Sequence, residues 1–346
     1  MSRREPFEIA GRKVAAGTRA NVEIPVSVLS DHTPMSLTVH VIHGRRPGPT
    51  VFVSAAIHGD EIIGVETIRR LIRTPQLRSI AGTLICIPVV NTFGFISQSR
   101  YLPDRRDLNR SFPGAASGSL AARLANIFMT EVVERCDAGI DLHSAAQNRT
   151  NLPQIRVDTG VPAALELARE FASPVIVHSS LRDGSLRGAA QARDIPVIVY
   201  ESGEALRFDE TALRLGVKGI LRVLRKLGMI RADKGLKSKL VSEMSKKSTW
   251  LRAPMGGVLR MHRSIGQHVE DGELIGVLSD PLGEMDTEIL SPVAGLIIGR
   301  TMLPIVNEGD AVCHVAEIVK RRNDEPMAQL DDMLGSDPLF DEDEII

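Results

Sequence analysis

The sequence predicts an α/β sandwich with a mostly parallel, mixed sheet, followed by a smaller C-terminal all-β barrel-sandwich domain. Three observations lead there. Between Thr50 and Leu227, short continuous apolar runs alternate with helix-period segments, the pattern of buried strands joined by crossover helices. Polar residues with useful chemistry stand where those runs end. Beyond Leu251 the helical patterning stops, and a short motif repeats between glycine turns.

The elements follow in chain order. Alternation of apolar and polar positions over 22–28 and 36–42 predicts an N-terminal β-rich segment over 1–45. Residues 51–57 (Val-Phe-Val-Ser-Ala-Ala-Ile) read as a strand buried on both faces, and a helix over 61–73 places Ile62, Val65, Ile68, Leu71 and Ile72 on one side. A second buried strand over 84–90 leads into a polar loop over 97–118, and Leu120, Leu124, Ile127, Phe128 and Val132 mark a helix. Strands are expected over 138–142, 174–178 and 195–200, with helices over 161–171 and 209–227. These elements make up a domain over 46–230. Residues 231–250 are Lys- and Ser-rich and read as a linker. In the β domain, over 251–320, Ala253-Pro254-Met255-Gly256-Gly257-Val258 recurs as Ser291-Pro292-Val293-Ala294-Gly295-Leu296. The segment 321–346 reads as a solvated acidic tail, with nine Asp or Glu and no Lys or Arg from Asn323 onward.

Composition narrows the function. Forty-two basic residues face forty-three acidic ones, and aromatic residues make up 3% of the chain. That balance argues against nucleic acid or an anionic membrane as partner. The three cysteines are far apart and form no C-x-x-C pair, which suggests neither a disulfide framework nor a thiolate metal site. No signal peptide or membrane span is expected, so the expected location is cytoplasmic.

In open α/β sheets ligands collect at the carboxyl ends of the strands, where His58 with Glu61, Asn91, His143 and Glu201 are expected. His58-x-x-Glu61 sets an imidazole and a carboxylate one turn apart, and His143 adds a second nitrogen from another strand. Two nitrogens, a carboxylate and an open position form the donor set of a catalytic Zn²⁺ site. Asp141 is placed to orient a ligand. Glu201, with Glu204 as its nearest competitor, is a candidate general base beside the metal. The loop Ser99–Arg110 concentrates guanidinium groups, which implies a substrate bearing a carboxylate.

The ordered set His58-Gly-Asp-Glu61, Asn91, Asp107-Leu108-Asn109-Arg110, Asp141-Leu142-His143 and Glu201-Ser-Gly203 resembles the succinylglutamate desuccinylase/aspartoacylase family, relatives of the zinc carboxypeptidases. The resemblance covers about residues 45–225. It implies zinc held by His58, Glu61 and His143, with Glu201 as general base and acid. It further implies that Asn109 and Arg110 bind the substrate carboxylate and that Arg100 polarises the scissile carbonyl. The interval from Arg100 to Asn109 departs from short family members, which leaves Arg105 and Arg106 as alternatives to Arg100. Arg187 is a further candidate carboxylate ligand.

The C-terminal repeat resembles lipoyl and biotinyl carrier domains, but no lysine occurs between Lys247 and Lys320, so a swinging-arm role is rejected. The expected role of this domain is to cover the active-site rim or to mediate association, including self-association. His262, His268 and His314 are read as structural or surface residues. The leading expectation is hydrolysis of the amide of a small N-acylated amino acid. The alternatives are a metallocarboxypeptidase acting on a C-terminal residue and a non-catalytic protein whose barrel and tail recruit a partner.

Overall fold

The computed structural model describes residues 4–231 and 241–318. The acidic segment from 321 onward lies outside the described residues, as do 232–240 of the segment read as a linker.

A short hairpin, β1 (Phe7–Ile9) and β2 (Arg12–Val14), precedes the long antiparallel pair β3 (Thr18–Val28) and β4 (Pro34–His43). β5 (Arg46–Ala55), α1 (Ile63–Leu71), β6 (Ala81–Ile87), α2 (Thr92–Ile96), α3 (Leu120–Glu131) and β7 (Ala138–Ala145) follow. β8 (Arg149–Val157), α4 (Pro162–Phe171), β9 (Val175–His178), α5 (Leu186–Gln191), β10 (Val197–Glu204) and α6 (Glu210–Lys226) complete the first domain. Its sheet runs β3-β4-β6-β5-β7-β10-β8-β9. The β6–β5–β7–β10 core is parallel, while β4 and β8 join it antiparallel at either side.

Helices cover both faces of this sheet, which is why its central strands are apolar at nearly every position. In β5, Val51, Val53 and Ala55 join a core with Ile68 and Leu71 of α1, Phe171 of α4 and Ile220 of α6. Phe52 points the other way, into a core with Leu124 and Phe128 of α3 and Leu186 of α5. α3 and α6 begin where the side chains of Ser119 and Asp209 accept backbone N–H groups.

Two departures from the expected elements bear on the site. α1 starts at Ile63, so Glu61 lies in the turn before the helix. β8, which was not expected, is an interior strand of the sheet. Pro153 lies inside it, and a proline ordinarily argues against an interior strand because it has no N–H to give. The register between β8 and β10 shifts between Glu201 and Gly203, opposite this proline, so the ladder loses its regularity where the missing donor falls.

β11 (Glu243–Ser245), inside the stretch read as linker, pairs parallel with β9. The β domain follows as β12 (Ser248–Arg252), β13 (Gly257–Met261), β14 (His268–Val269), β15 (Leu274–Ser279), β16 (Asp286–Leu290), β17 (Gly295–Thr301), β18 (Ile305–Val306) and β19 (Ala311–Glu317). The sheet β16-β15-β13-β18 contributes Leu259, Leu278 and Ile289 to a core shared with Leu251, Ile297 and Val315 of β12, β17 and β19. β17 also pairs antiparallel with the first residues of β8, Gly299 opposite Asn151 and Thr301 opposite Arg149. A Cβ on Gly299 would stand 2.8 Å from the Asn151 Oδ1, so a larger residue there would have to displace that side chain. One strand thus belongs to both domains.

Candidate active site

β5, β7 and β10 run parallel and end together, and the candidate residues stand at that common end. His58 and Glu61 occupy the turn between β5 and α1, and both are buried. Gly59 between them packs against the backbone of α2, where a Cβ would fall 1.9 Å from the Gly94 carbonyl carbon. The motif therefore needs glycine at its second position because the two turns touch. His143 lies on β7, and in the parallel register Glu201 of β10 is its direct neighbour.

Glu61 is shared between two imidazoles. Its Oε1 lies 2.6 Å from His58 Nδ1 and its Oε2 2.7 Å from His143 Nδ1. The opposite ring nitrogens face carboxylates: His143 Nε2 is 2.7 Å from Asp141 and His58 Nε2 is 3.2 Å from Asp107. Asp141 also accepts a hydrogen bond from the Ser54 hydroxyl at 2.8 Å. One donor atom each from His58, Glu61 and His143 lies within 4.8 Å of the others. Inward-facing nitrogens, a bridging carboxylate and carboxylates behind the rings fit a divalent metal ion, because outer carboxylates fix ring orientation and raise ligand basicity. Burial disfavours a charged His143, but the charges of Asp141 and Glu61 outweigh it and hold its pKa well above the usual histidine value. Burial likewise opposes the Glu61 carboxylate, yet the two imidazoles draw its pKa well below the usual range.

Arg100 reaches the same cluster. Its guanidinium donates to Asp107 at 3.0 Å and to Glu61 at 3.2 Å, and lies 3.2 Å from His58 Nδ1. Glu201 is held differently: its Oε2 accepts from the Asn151 amide at 3.0 Å and pairs with Arg156 at 3.0 Å. Both partners lie on β8.

His58, Glu61, Arg100, Asp141, His143, Asn151, Arg156 and Glu201 line a single cleft of about 240 Å³, together with Asn109, Arg110 and Arg187. The eight residues expected to hold the metal, act in catalysis or bind substrate (His58, Glu61, His143, Glu201, Arg100, Asn109, Arg110 and Arg187) are all in its wall. Asn109 Oδ1 accepts from the Leu186 amide at 2.9 Å, which ties the arginine loop to α5. Arg187 donates to Ser179 and Ser180, with no carboxylate partner among the described residues; burial lowers its pKa. Other expected candidates lie elsewhere. Asn91 caps α2 by accepting from the Gly94 amide, and Glu204 accepts from the Asn148 amide. Arg105 and Arg106 are exposed and do not line the cleft. Sequence reasoning missed Arg149, Asn151, Arg156, Arg182 and Trp250, which also line it. The first three sit on the unexpected strand β8, and Trp250 belongs to the β domain. Their one visible signal was the clustering of arginines after His143. Among the described residues no helix is long and apolar enough to cross a membrane.

A three-layer α/β domain with a buried His–Glu–His cluster at its strand ends has the construction of a hydrolase catalytic domain. Residues 47–227 match the family model for the succinylglutamate desuccinylase/aspartoacylase catalytic domain, and the chain belongs to this family, whose members' names describe deacylases. Among curated proteins it is similar to an N-alpha-acetyl-L-2,4-diaminobutyric acid deacetylase of Halomonas elongata, with 31% identity over 139 residues. That match spans 38% of this chain and 41% of the relative's length. Among solved structures, a succinylglutamate desuccinylase/aspartoacylase from Rhodobacter sphaeroides superposes with a TM-score of 0.78 at 24% identity, covering 88% of this chain and 96% of that one. The product-bound ectoine utilization protein EutE (DoeB) from Ruegeria pomeroyi gives 0.77 at 24% identity, covering 86% and 95%. At these identities the likeness is one of fold, and it extends through both domains.

Proposed function

We propose that the protein is a zinc-dependent deacylase that hydrolyses the amide bond of a small, carboxylate-bearing N-acyl amino acid. The observation that carries this reading is the pair of histidines, each turned inward by a carboxylate behind it, beside a glutamate on the neighbouring strand.

His58, Glu61 and His143 would hold the ion. Zinc supplies Lewis acidity there, to water and to the substrate carbonyl. Glu201 takes the proton from the attacking water and returns it to the nitrogen that departs as the C–N bond breaks. Arg156 and Asn151 fix one carboxylate oxygen of Glu201, leaving the other for this transfer. Arg100 stands against the cluster, where its guanidinium can steady the developing oxyanion. Arg110, Asn109 and Arg187 receive the substrate carboxylate, with the loop-to-α5 hydrogen bond keeping the first two in place.

The test is amine release from a panel of N-acyl amino acids and short acid-terminated peptides, with and without a chelator. Chelator-sensitive release from acyl amino acids supports the deacylase. Release from peptides alone would make the protein a carboxypeptidase. In Glu201→Gln, activity falls by about 10²- to 10⁴-fold at unchanged zinc content; a fully active variant removes Glu201 from the mechanism.

A further inference from the structure

The β domain reaches into the cleft through one side chain. Trp250, the chain's single tryptophan, lies on β12 and lines the cleft beside Arg149. Its ring stacks on the buried His314 of the paired strand β19, with centroids 4.5 Å apart and an interplanar angle of 13°. The Arg149 guanidinium carbon stands 5.5 Å from the indole centroid. Burial, reinforced by the charge of Arg156, lowers the His314 pKa to about 3, so the imidazole under the indole is neutral and adds no charge to repel the guanidinium.

Arg149 is otherwise uncommitted: among the described residues its side chain makes no hydrogen bond and no salt bridge. A guanidinium resting on an aromatic face keeps its N–H edges free and loses rotational freedom, which suits it to hold a planar anion. Arg100 and Arg156, by contrast, are already paired with carboxylates. The candidate α-carboxylate ligands Arg110 and Arg187 are anchored on the α5 side of the cleft, whereas Arg149 is anchored by the β domain. Two cationic anchors on different elements match a substrate with an anionic group at each end.

We infer that Arg149, held by the Trp250–His314 stack, determines specificity by binding a second substrate carboxylate, distinct from the one received by Arg110 and Arg187. Trp250 is a positioning residue in this arrangement. The inference rests on the deacylase reading and names what its site selects.

Two substrate pairs that differ only by carboxylate against carboxamide test it: N-acetylglutamate with N-acetylglutamine, and N-succinylglycine with N-succinamylglycine. The wild-type enzyme is expected to prefer the carboxylate member of at least one pair in kcat/KM. In Arg149→Gln that preference falls about 10- to 100-fold, chiefly through KM, the range for losing a hydrogen bond to a charged group. Trp250→Ala erodes the same preference and Trp250→Phe, which keeps a ring face, restores most of it, with melting temperature and metal content reporting the fold. A wild-type enzyme indifferent to the second carboxylate, or an Arg149→Gln variant with the full preference, overturns the inference while leaving the deacylase intact. Full preference in Trp250→Ala overturns the positioning role. Absence of amine release from these four compounds and from the wider panel overturns the deacylase reading itself.

Discussion

Asp141→Asn tests how far the carboxylate behind His143 controls the metal. Asp141 is 1% exposed, with one oxygen 2.7 Å from His143 Nε2 and the other accepting from Ser54 at 2.8 Å. Asparagine has the same shape, and its amide oxygen can still face the imidazole while its NH2 faces the hydroxyl. The substitution therefore removes the charge and keeps both contacts. Hydrogen bonds to charged groups are worth about 1.5–3 kcal/mol against about 0.5–1.5 for neutral ones, a difference near tenfold in an equilibrium. The carboxylate also makes His143 a more basic ligand, and loss of such outer partners costs about 10- to 100-fold in metal affinity or activity. The expectation is thus metal binding weakened by at least about tenfold. Competition against a chromophoric chelator measures it, with kcat/KM determined at saturating zinc. Ser54→Ala removes a neutral donor to Asp141 and should weaken binding less. Wild-type affinity and activity in Asp141→Asn, or a larger loss in Ser54→Ala, would refute the reasoning.

Three further outcomes are expected. In Gly59→Ala the new methyl would enter the backbone of α2; overpacking of this kind costs about 1–3 kcal/mol, so the melting temperature falls and metal binding weakens as the His58–Glu61 turn shifts, whereas an unchanged variant would mean the turn has slack. The lowered pKa of His314 makes folding sensitive to acid. The unfolded histidine takes up a proton near pH 6.5 and the folded one only near 3, so stability is full above 6.5 and is lost as pH falls between those values. At pH 5 the loss is about 2 kcal/mol, and His314→Phe should show a flatter dependence of melting temperature on pH over that window. Equal slopes would place the titration elsewhere. Finally, the buried Tyr200 hydroxyl donates to the Ala212 carbonyl at 2.8 Å, so Tyr200→Phe should cost about 1 kcal/mol in a denaturant titration and leave the cleft unchanged.

The legible parts of this protein are those governed by local rules. The apolar runs of β5, β6 and β7 announce strands because both faces of the sheet are covered, and a two-residue period distributes Val51 and Phe52 to opposite cores. α3 and α6 begin at a serine and an aspartate, as capping requires. His58, His143 and Glu201 stand out because each ends such a run, with Glu61 three residues beyond His58, and parallel strands bring their ends to one place. β8 escaped detection because Pro153 and a polar composition resemble a loop, and its irregularity is absorbed only by pairing with β10.

By itself the sequence determined the layered α/β architecture, the separate β domain and the ordered set of candidate ligands, since periodicity and strand ends are properties of neighbouring residues. Only the tertiary structure decided which carboxylate stands behind which histidine, that Asn151 and Arg156 hold Glu201, and that Trp250 comes to rest against Arg149. Those contacts join residues on different strands, Arg149 and Trp250 being about a hundred positions apart. Such proximity is set by strand register and by the pairing of β17 with β8, and no local pattern along the chain encodes it.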